Sequence, residues 1–536
     1  MIANRWAQLL LAAGISFANP LHSSRNSAQF QAKCASIASE LEVEHATVYF
    51  SQFVAAGQNI SISDRNATCG APYQVVPAHI CRIALYVATS NSSGINMEAW
   101  LPANFSGRFL STGNGGLAGC IGYDDMSYTT SLGFASVGAN NGHNGTSGGA
   151  FFNQPEVVAD FAYRSVHTSV IVGKEITKQF YGSPHRKSYY LGCSTGGRQG
   201  FKSAQDFPED FDGIVAGAPA ISFNNLISWS GHFVNITGTP DSETFVPAKL
   251  WFIVHQDVMK QCDMLDGYAD GILEAASICN YNSTGLICDS NSTNSSSCLT
   301  AIQADTVQKV FEPLTLSDGT LVYPRMQPGS EIVAANALYN GVPYAYNVDW
   351  FRYVIYNDPN WNPLTLNDTD YIIAALKNPS NIQTWKGDLS AVQKRGAKIL
   401  HYHGQMDAII SSENSPRYYE HVSQTMGLSP AKLDDFYRFF RISGMAHCVG
   451  GDGASAIGQR LNAWESTDPS ENALMAVVDW VENGNAPETI IGTKWVNGTK
   501  SAGVEYKRAH CRYPKRNVYK GEGDPKAIDS WECVED

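Results

Sequence analysis

One segment constrains the architecture more than any other. A short apolar run, Ser188-Tyr-Tyr-Leu-Gly, enters Cys193-Ser-Thr-Gly-Gly, and a helix-like stretch follows to Phe207. A strand that turns sharply on glycines into a helix is the repeating unit of a parallel sheet covered by helices. The same unit recurs. Arg108–Ser111 runs into Thr112-Gly-Asn-Gly-Gly, Phe134–Val137 into Gly138-Ala-Asn-Asn-Gly, and Phe211–Val215 into Ala216-Gly-Ala-Pro. The stretch 157–180 reads as one long helix. The alternation lapses over 222–392, a stretch with helical segments, aromatics and four cysteines. It resumes at Ala397-Lys-Ile-Leu-His-Tyr-His-Gly and Tyr437-Arg-Phe-Phe-Arg-Ile, with a helix expected near 470–483. The expectation is one α/β domain, 19–221 with 393–536, interrupted by an insertion over 222–392. Residues 19–106 read as a helix near 28–42 and short strands holding Cys69 and Cys81, and 484–536 as a loop-rich tail.

Composition excludes several classes. The 37 Lys and Arg stand against 50 Asp and Glu, a net charge of −13, and no basic block is present, so nucleic acid is not an expected partner. No apolar run after residue 20 reaches the ~18 residues of a membrane span. The amino terminus carries Arg5, an apolar stretch and the small-x-small site Ser16-Phe17-Ala18, the pattern of a signal peptide over 1–18. Eleven N-x-Ser/Thr sequons, from Asn59 to Asn497, and twelve cysteines with no C-x-x-C pair suit a glycosylated, disulfide-bonded, secreted protein rather than a zinc protein.

Gly192-Cys-Ser194-Thr-Gly196 matches G-x-S-x-G, and so does Gly145-Thr-Ser147-Gly-Gly149. Only Ser194 has a strand before it and a helix after it, as a nucleophile elbow requires; Ser147 sits in a loop. A serine nucleophile needs a base and an orienting acid, supplied in such folds by later strand ends in the order Ser, acid, His. Asp407 follows the strand ending at Gly404, and His447 follows the strand ending at Ile442. His401 and His403 lie within the earlier strand and read as core histidines, and Asp452 comes after His447, in the wrong order. Cys193 precedes Ser194 and Cys448 follows His447. Residues flanking a hydrogen-bonded Ser–His pair can fall within the ~5.5 Å Cα separation of a disulfide, so Cys193–Cys448 is expected to staple the site. Oxyanion donors are expected from the backbone of Thr195 and from the turn 112–116, at Gly115 or Gly116. This chemistry requires no organic cofactor.

The segments STGNGGLAGC, FASVGANNGHNG, GCSTGGRQG, DFDGIVAGAPA and GMAHC, with the Cys-Ser and His-Cys pairs, resemble those of the tannase and feruloyl esterase family of secreted α/β-hydrolases, from about residue 30 onward. The resemblance implies an α/β-hydrolase fold with the insertion as a lid domain, and Ser194, Asp407 and His447 as nucleophile, acid and base. Within the insertion, Asp263, Asp266 and Asp270 span eight residues with glycines. They would repel one another unless solvated or neutralised by a hard cation, and all-oxygen ligands suit calcium. The resemblance implies a structural calcium there, with the backbone carbonyls of Tyr268 and Ile272 completing the set.

Short separations favour the pairs Cys262–Cys279, Cys288–Cys298 and Cys511–Cys533. Cys34, Cys69, Cys81 and Cys120 allow three arrangements; the resemblance implies Cys34–Cys81 with Cys69–Cys120. It also implies phenolic-ester substrates: hydroxycinnamates such as ferulate, p-coumarate and caffeate on plant cell-wall polysaccharide, or galloyl esters as in tannases. Tannases of the family often have a longer lid with a basic processing site inside. Here the insertion is compact and Lys394-Arg395 lies just past its end, which favours feruloyl esters. Trp229, Trp251, Trp350, Phe351, Tyr353 and Trp361 could enclose an aromatic ring or simply form the insertion's own core. A peptidase or a non-catalytic binding module are the rival classes. Neither a peptide-recognising feature nor a reason for a binding module to keep the ordered triad is present.

Overall fold

The computed structural model describes residues 20–63, 65–274, 276–289 and 297–535. The expected signal peptide 1–18 and the sequons at Asn291 and Asn294 lie outside them. A nine-stranded sheet organises the chain. Its strands are β1 (Ala46–Val54), β2 (Ile80–Ala88), β3 (Gly94–Pro102), β4 (Arg108–Thr112), β5 (Ala135–Ala139), β6 (Lys187–Cys193), β7 (Gly213–Gly217), β8 (Lys398–Gly404) and β9 (Tyr437–Ile442). Their order across the sheet is β1-β2-β3-β5-β4-β6-β7-β8-β9. The first three are antiparallel and β3 also meets β5 antiparallel, whereas every pair from β5 to β9 is parallel. The parallel strands are short and buried on both faces, as crossover connections demand. The chain is thus an α/β protein with the central, mostly parallel sheet of a hydrolase fold.

β7 and β8 are hydrogen-bonded neighbours, yet the whole insertion lies between them in sequence. Its helices Phe223–Thr237, Ala248–Cys262 and Ala301–Val310 pack around Trp229, Trp251, Trp350 and Phe351, all fully buried. That same apolar cluster takes in Leu117, Phe151 and Phe161 from the first half of the sheet domain and Ile410 from the second. The insertion is therefore seated on a shared core. The aromatic residues singled out from sequence mostly build this core.

Three local readings change. The amino-terminal strands β1–β3 are nine residues each, and Cys69 ends a 3-10 turn, Ala67–Cys69, rather than lying in a strand. The helix expected over 157–180 starts at Pro155 and passes through one π-helical turn at Asp160–Arg164. There the buried Arg198 donates to the carbonyls of Phe161 and Ala162, a partner that periodicity cannot reveal. The tail holds two antiparallel hairpins, Thr489–Trp495 with Val504–Cys511 and Arg516–Tyr519 with Trp531–Val534. Their strands are short and joined by polar turns, so the alternation is too brief to stand out.

Six disulfides close, in the expected pairs: Cys34–Cys81, Cys69–Cys120, Cys193–Cys448, Cys262–Cys279, Cys288–Cys298 and Cys511–Cys533.

Candidate active site

Ser194 sits between the end of β6 and the helix Thr195–Asp206, at φ 65°, ψ −124°. A non-glycine residue adopts this backbone only under constraint. The constraint is visible on both sides: the Ser194 N–H donates to Gly217 O (3.0 Å), and its carbonyl accepts from Arg198 N and Ala220 N (3.0 Å each). Glycines permit the close approach. A Cβ on Gly197 would stand 2.2 Å from Gly217 O, and one on Gly192 would stand 2.8 Å from Gly196 C. Ser147 has no such setting: it caps a 3-10 turn, accepting from Gly149 N (3.1 Å), and donates to Asp349 (3.2 Å).

Asp407 is fully buried just beyond β8. Its Oδ2 accepts from His447 Nδ1 (2.6 Å) and His403 Nε2 (3.1 Å), and its Oδ1 from the N–H groups of Ile409 (2.9 Å) and Ile410 (3.0 Å). Burial pushes the carboxyl pKa up, but the neighbouring His447 charge and the histidine hydrogen bonds outweigh it. The group is held well below the usual carboxylate range. Gln327, from the insertion, donates to Asp407 O (2.7 Å) and accepts from Ser412 N (3.1 Å), fixing the turn from outside. Met406 N donates to Met445 O (2.8 Å), tying this turn to the His447 loop.

Cys193–Cys448 spans 255 residues with a Cα separation of 5.9 Å, so the neighbours of Ser194 and His447 are covalently joined. Ser194 and His447 line one cavity of about 470 Å³ together with Gly113–Gly116. In the turn after β4, Gly113 N donates to Leu191 O and Asn114 N to Gln199 Oε1 (3.0 Å each). Among the described residues no acceptor takes the N–H of Gly115, Gly116 or Thr195. Thr195 Oγ1 donates to Gly116 O (2.7 Å), which locks the turn to the helix start. A serine at an elbow and an imidazole on one cavity, a buried carboxylate bonded to that imidazole, and amides without acceptors beside the serine are the parts that acyl transfer uses.

Sequence reading left several residues out. Gln199 donates to Asn114 Oδ1 and Asn141 Oδ1, and Asn114 Nδ2 donates to the carbonyls of Cys120 and Ala139, so one polar net holds the glycine turn. All three residues lie inside segments that carry the family resemblance, which was the available signal. His403 is buried like an ordinary core histidine, yet it forms one end of a chain. Because the Asp407 carboxylate only accepts, His403 Nε2 must donate; Ser415 then donates to His403 Nδ1 (2.6 Å), His401 Nε2 to Ser415 Oγ (2.9 Å), and Tyr437 OH to His401 Nδ1 (2.9 Å). Phe223, Leu226, Ile227, Tyr344 and Tyr346 from the insertion meet Ser194 and Thr195 in a second, narrow apolar cavity. Their contact with the serine is purely tertiary.

The acidic loop follows Cys262. Asp263 Oδ2 accepts from Gly271 N, Asp266 Oδ1 from Tyr268 N and Asp270 Oδ1 from Ile272 N, while Arg508 reaches Asp270 and Glu274. Asp263 Oδ1 is buried without a partner. Burial raises all three carboxyl groups, Asp266 to about 7. Hard oxygens with uncompensated charge fit a cation such as calcium. Among the described residues no three acidic, His or Cys side chains form a metal cage by themselves, so backbone carbonyls such as those of Tyr268 and Ile272 must complete any set.

A family model described as Tannase and feruloyl esterase matches residues 81–534. Probable feruloyl esterase B-2 of Aspergillus terreus is 56% identical over 505 residues, 94% of this chain and 95% of that protein. Feruloyl esterase C of Talaromyces stipitatus is 53% identical over 528 residues, 98% of this chain and 99% of that one. The crystal structure of feruloyl esterase B from Aspergillus oryzae superposes with a TM-score of 0.92 at 52% identity, covering 94% of this chain and 100% of that one.

Proposed function

The chain belongs to the tannase and feruloyl esterase family, and from that premise we propose that it is a secreted serine esterase releasing hydroxycinnamic acids, ferulate above all, from plant cell-wall polysaccharide. It is a carboxylic ester hydrolase, a feruloyl esterase. In the mechanism, Ser194 Oγ attacks the ester carbonyl as His447 takes its proton, and Asp407 holds the imidazole in the Nδ1–H tautomer. The amides of Thr195 and of Gly115 or Gly116 receive the oxyanion. His447 returns the proton to the leaving alcohol, and a water then releases the acid from the Ser194 acyl-enzyme. The observation that carries this reading is the 2.6 Å bond from His447 Nδ1 to the buried Asp407, on a loop stapled to the Ser194 elbow by Cys193–Cys448.

The narrow apolar cavity beside Ser194 and Thr195 is lined by Phe223, Leu226, Ile227 and Tyr344; at about 30 Å³ it must open to admit the ring of the acyl group. Asp263, Asp266 and Asp270, with the Tyr268 and Ile272 carbonyls, would hold a calcium ion whose contribution is neutralisation of a buried acidic loop. Secretion is supported by the amino-terminal pattern and the six disulfides, and among the described residues no helix is long and apolar enough to cross a membrane. The test is a panel of methyl ferulate, p-coumarate, caffeate and gallate, with fluorophosphonate labelling of wild type and Ser194→Ala. Hydrolysis of the hydroxycinnamates and labelling, both lost in the variant, are expected. Turnover of gallate alone would make the enzyme a tannase, and an active, labelled Ser194→Ala would overturn the triad.

A further inference from the structure

Two cavities meet at Ser194, and proton transfer decides which part of the ester each receives. A general acid must lie within hydrogen-bond reach of the oxygen it protonates. His447 lines the larger cavity and is absent from the narrow one, where Thr195 stands instead. On the functional reading above, the alcohol oxygen therefore lies on the His447 side, and the alcohol's remaining atoms extend into the larger cavity. The acyl group then faces the apolar side, where Phe223, Leu226 and Tyr344 line the narrow cavity.

The larger cavity is not apolar. Asp125, from the helix Tyr123–Ser131, and Arg460, from the loop after His447, both line it, with Arg65 beside them. Asp125 Oδ1 and Arg65 Nε are shielded from solvent without a hydrogen-bond partner. The Arg460 guanidinium makes no ion pair or hydrogen bond among the described residues. Burial pushes Asp125 up to about 6, and the Arg460 charge, which pulls the other way, does not compensate. Leaving such groups unsatisfied costs free energy, a cost that a binding site recovers when its ligand arrives.

We propose that Asp125 and Arg460 form an alcohol-side subsite for a neutral polyhydroxylated leaving group, a sugar residue, whose hydroxyls donate to Asp125 Oδ1 and accept from the Arg460 guanidinium. An alkyl alcohol satisfies neither group. Asp125 and Arg460 are thus specificity-determining residues, while Ser194 and His447 carry the reaction.

The experiment compares kcat/KM for methyl ferulate and for ferulate esterified to the primary hydroxyl of arabinofuranose, using the full-length enzyme. In Asp125→Ala the ratio of sugar ester to methyl ester is expected to fall about 10- to 100-fold, the worth of a hydrogen bond to a charged group. Arg460→Gln, which removes the charge and shortens the reach, should lower the same ratio and serves if Asp125→Ala does not fold. An unchanged ratio in a folded variant, whether both rates fall or neither does, overturns the subsite. A wild type inactive on both esters would instead overturn the functional reading on which the subsite rests.

Discussion

Asp407 and Asp266 are both buried, both lie near a disulfide, and have opposite protonation behaviour. Asp407 is met by two histidine N–H groups and two backbone N–H groups and is held well below the usual range. Asp266 accepts from Tyr268 N and Glu274 N, stands near Asp270 and Glu274, and is pushed up to about 7. Burial alone opposes charge in both places; the donors that surround each group decide the outcome. The Asp407 carboxylate finds its donors within the protein. Among the described residues the ion pairs to the acidic loop come from Arg508, which is shared between Asp270 and Glu274.

The most damaging way to break this comparison is Asp407→Asn. The amide cannot hold the His447 tautomer, and kcat should fall by about 10⁴-fold, as removal of a triad carboxylate's charge does elsewhere. The same variant should change acid stability. A depressed carboxyl pKa contributes stability above the unfolded value of about 3.9 and loses it as pH falls toward the folded value. Thermal melts below pH 4 should therefore decline less steeply in Asp407→Asn than in the wild type, and an equally steep decline would show that Asp407 is not the group protonated.

Replacing Cys193 and Cys448 together by Ser leaves the donors in place and frees the geometry. The Ser194–His447 separation is then set by packing alone, and a 1 Å misplacement costs on the order of 100-fold in rate. Full turnover with only a lowered melting temperature would make the staple structural. His403→Leu removes one donor from Asp407. We expect kcat to drop about 10- to 100-fold with KM little changed, and His403→Gln, which restores an N–H, to recover most of it. Equal loss in both variants would mean that His403 serves packing only.

The smallest effect concerns the acidic loop. Free calcium at a hundredfold its Kd should stabilise the protein by about 2.7 kcal/mol, a shift of a few degrees in Tm. A chelator should reverse the shift, and Asp266→Asn should abolish the calcium response. A melting temperature indifferent to both calcium and chelator would leave the loop a solvated acidic turn.

The parts of the site that lie on strand ends were legible because their signals are local. A strand, a glycine turn and a helix fix Ser194; the ends of β8 and β9 fix Asp407 and His447; the flanking cysteines join the two halves. The tail hairpins were less legible, since four- to eight-residue strands give too little alternation to recognise. The aromatics of the insertion were visible but not their destination: Trp229, Trp251 and Trp350 went to the core, while Phe223, Tyr344 and Tyr346 reached the serine.

By itself the sequence determined the alternation of strands and helices through the parallel part of the sheet, the residues able to act as nucleophile, base and acid, and the cysteines beside two of them. Each of these follows from short-range pattern, backbone preference or chain order. Only the tertiary structure decided that His403 donates to Asp407, that Gln199 holds the glycine turn after β4, 85 residues away, and that Asp125 and Arg460 face one cavity. Hydrogen bonds and unpaired charges between distant segments depend on how far apart packing leaves them, and that distance is a property of the folded core.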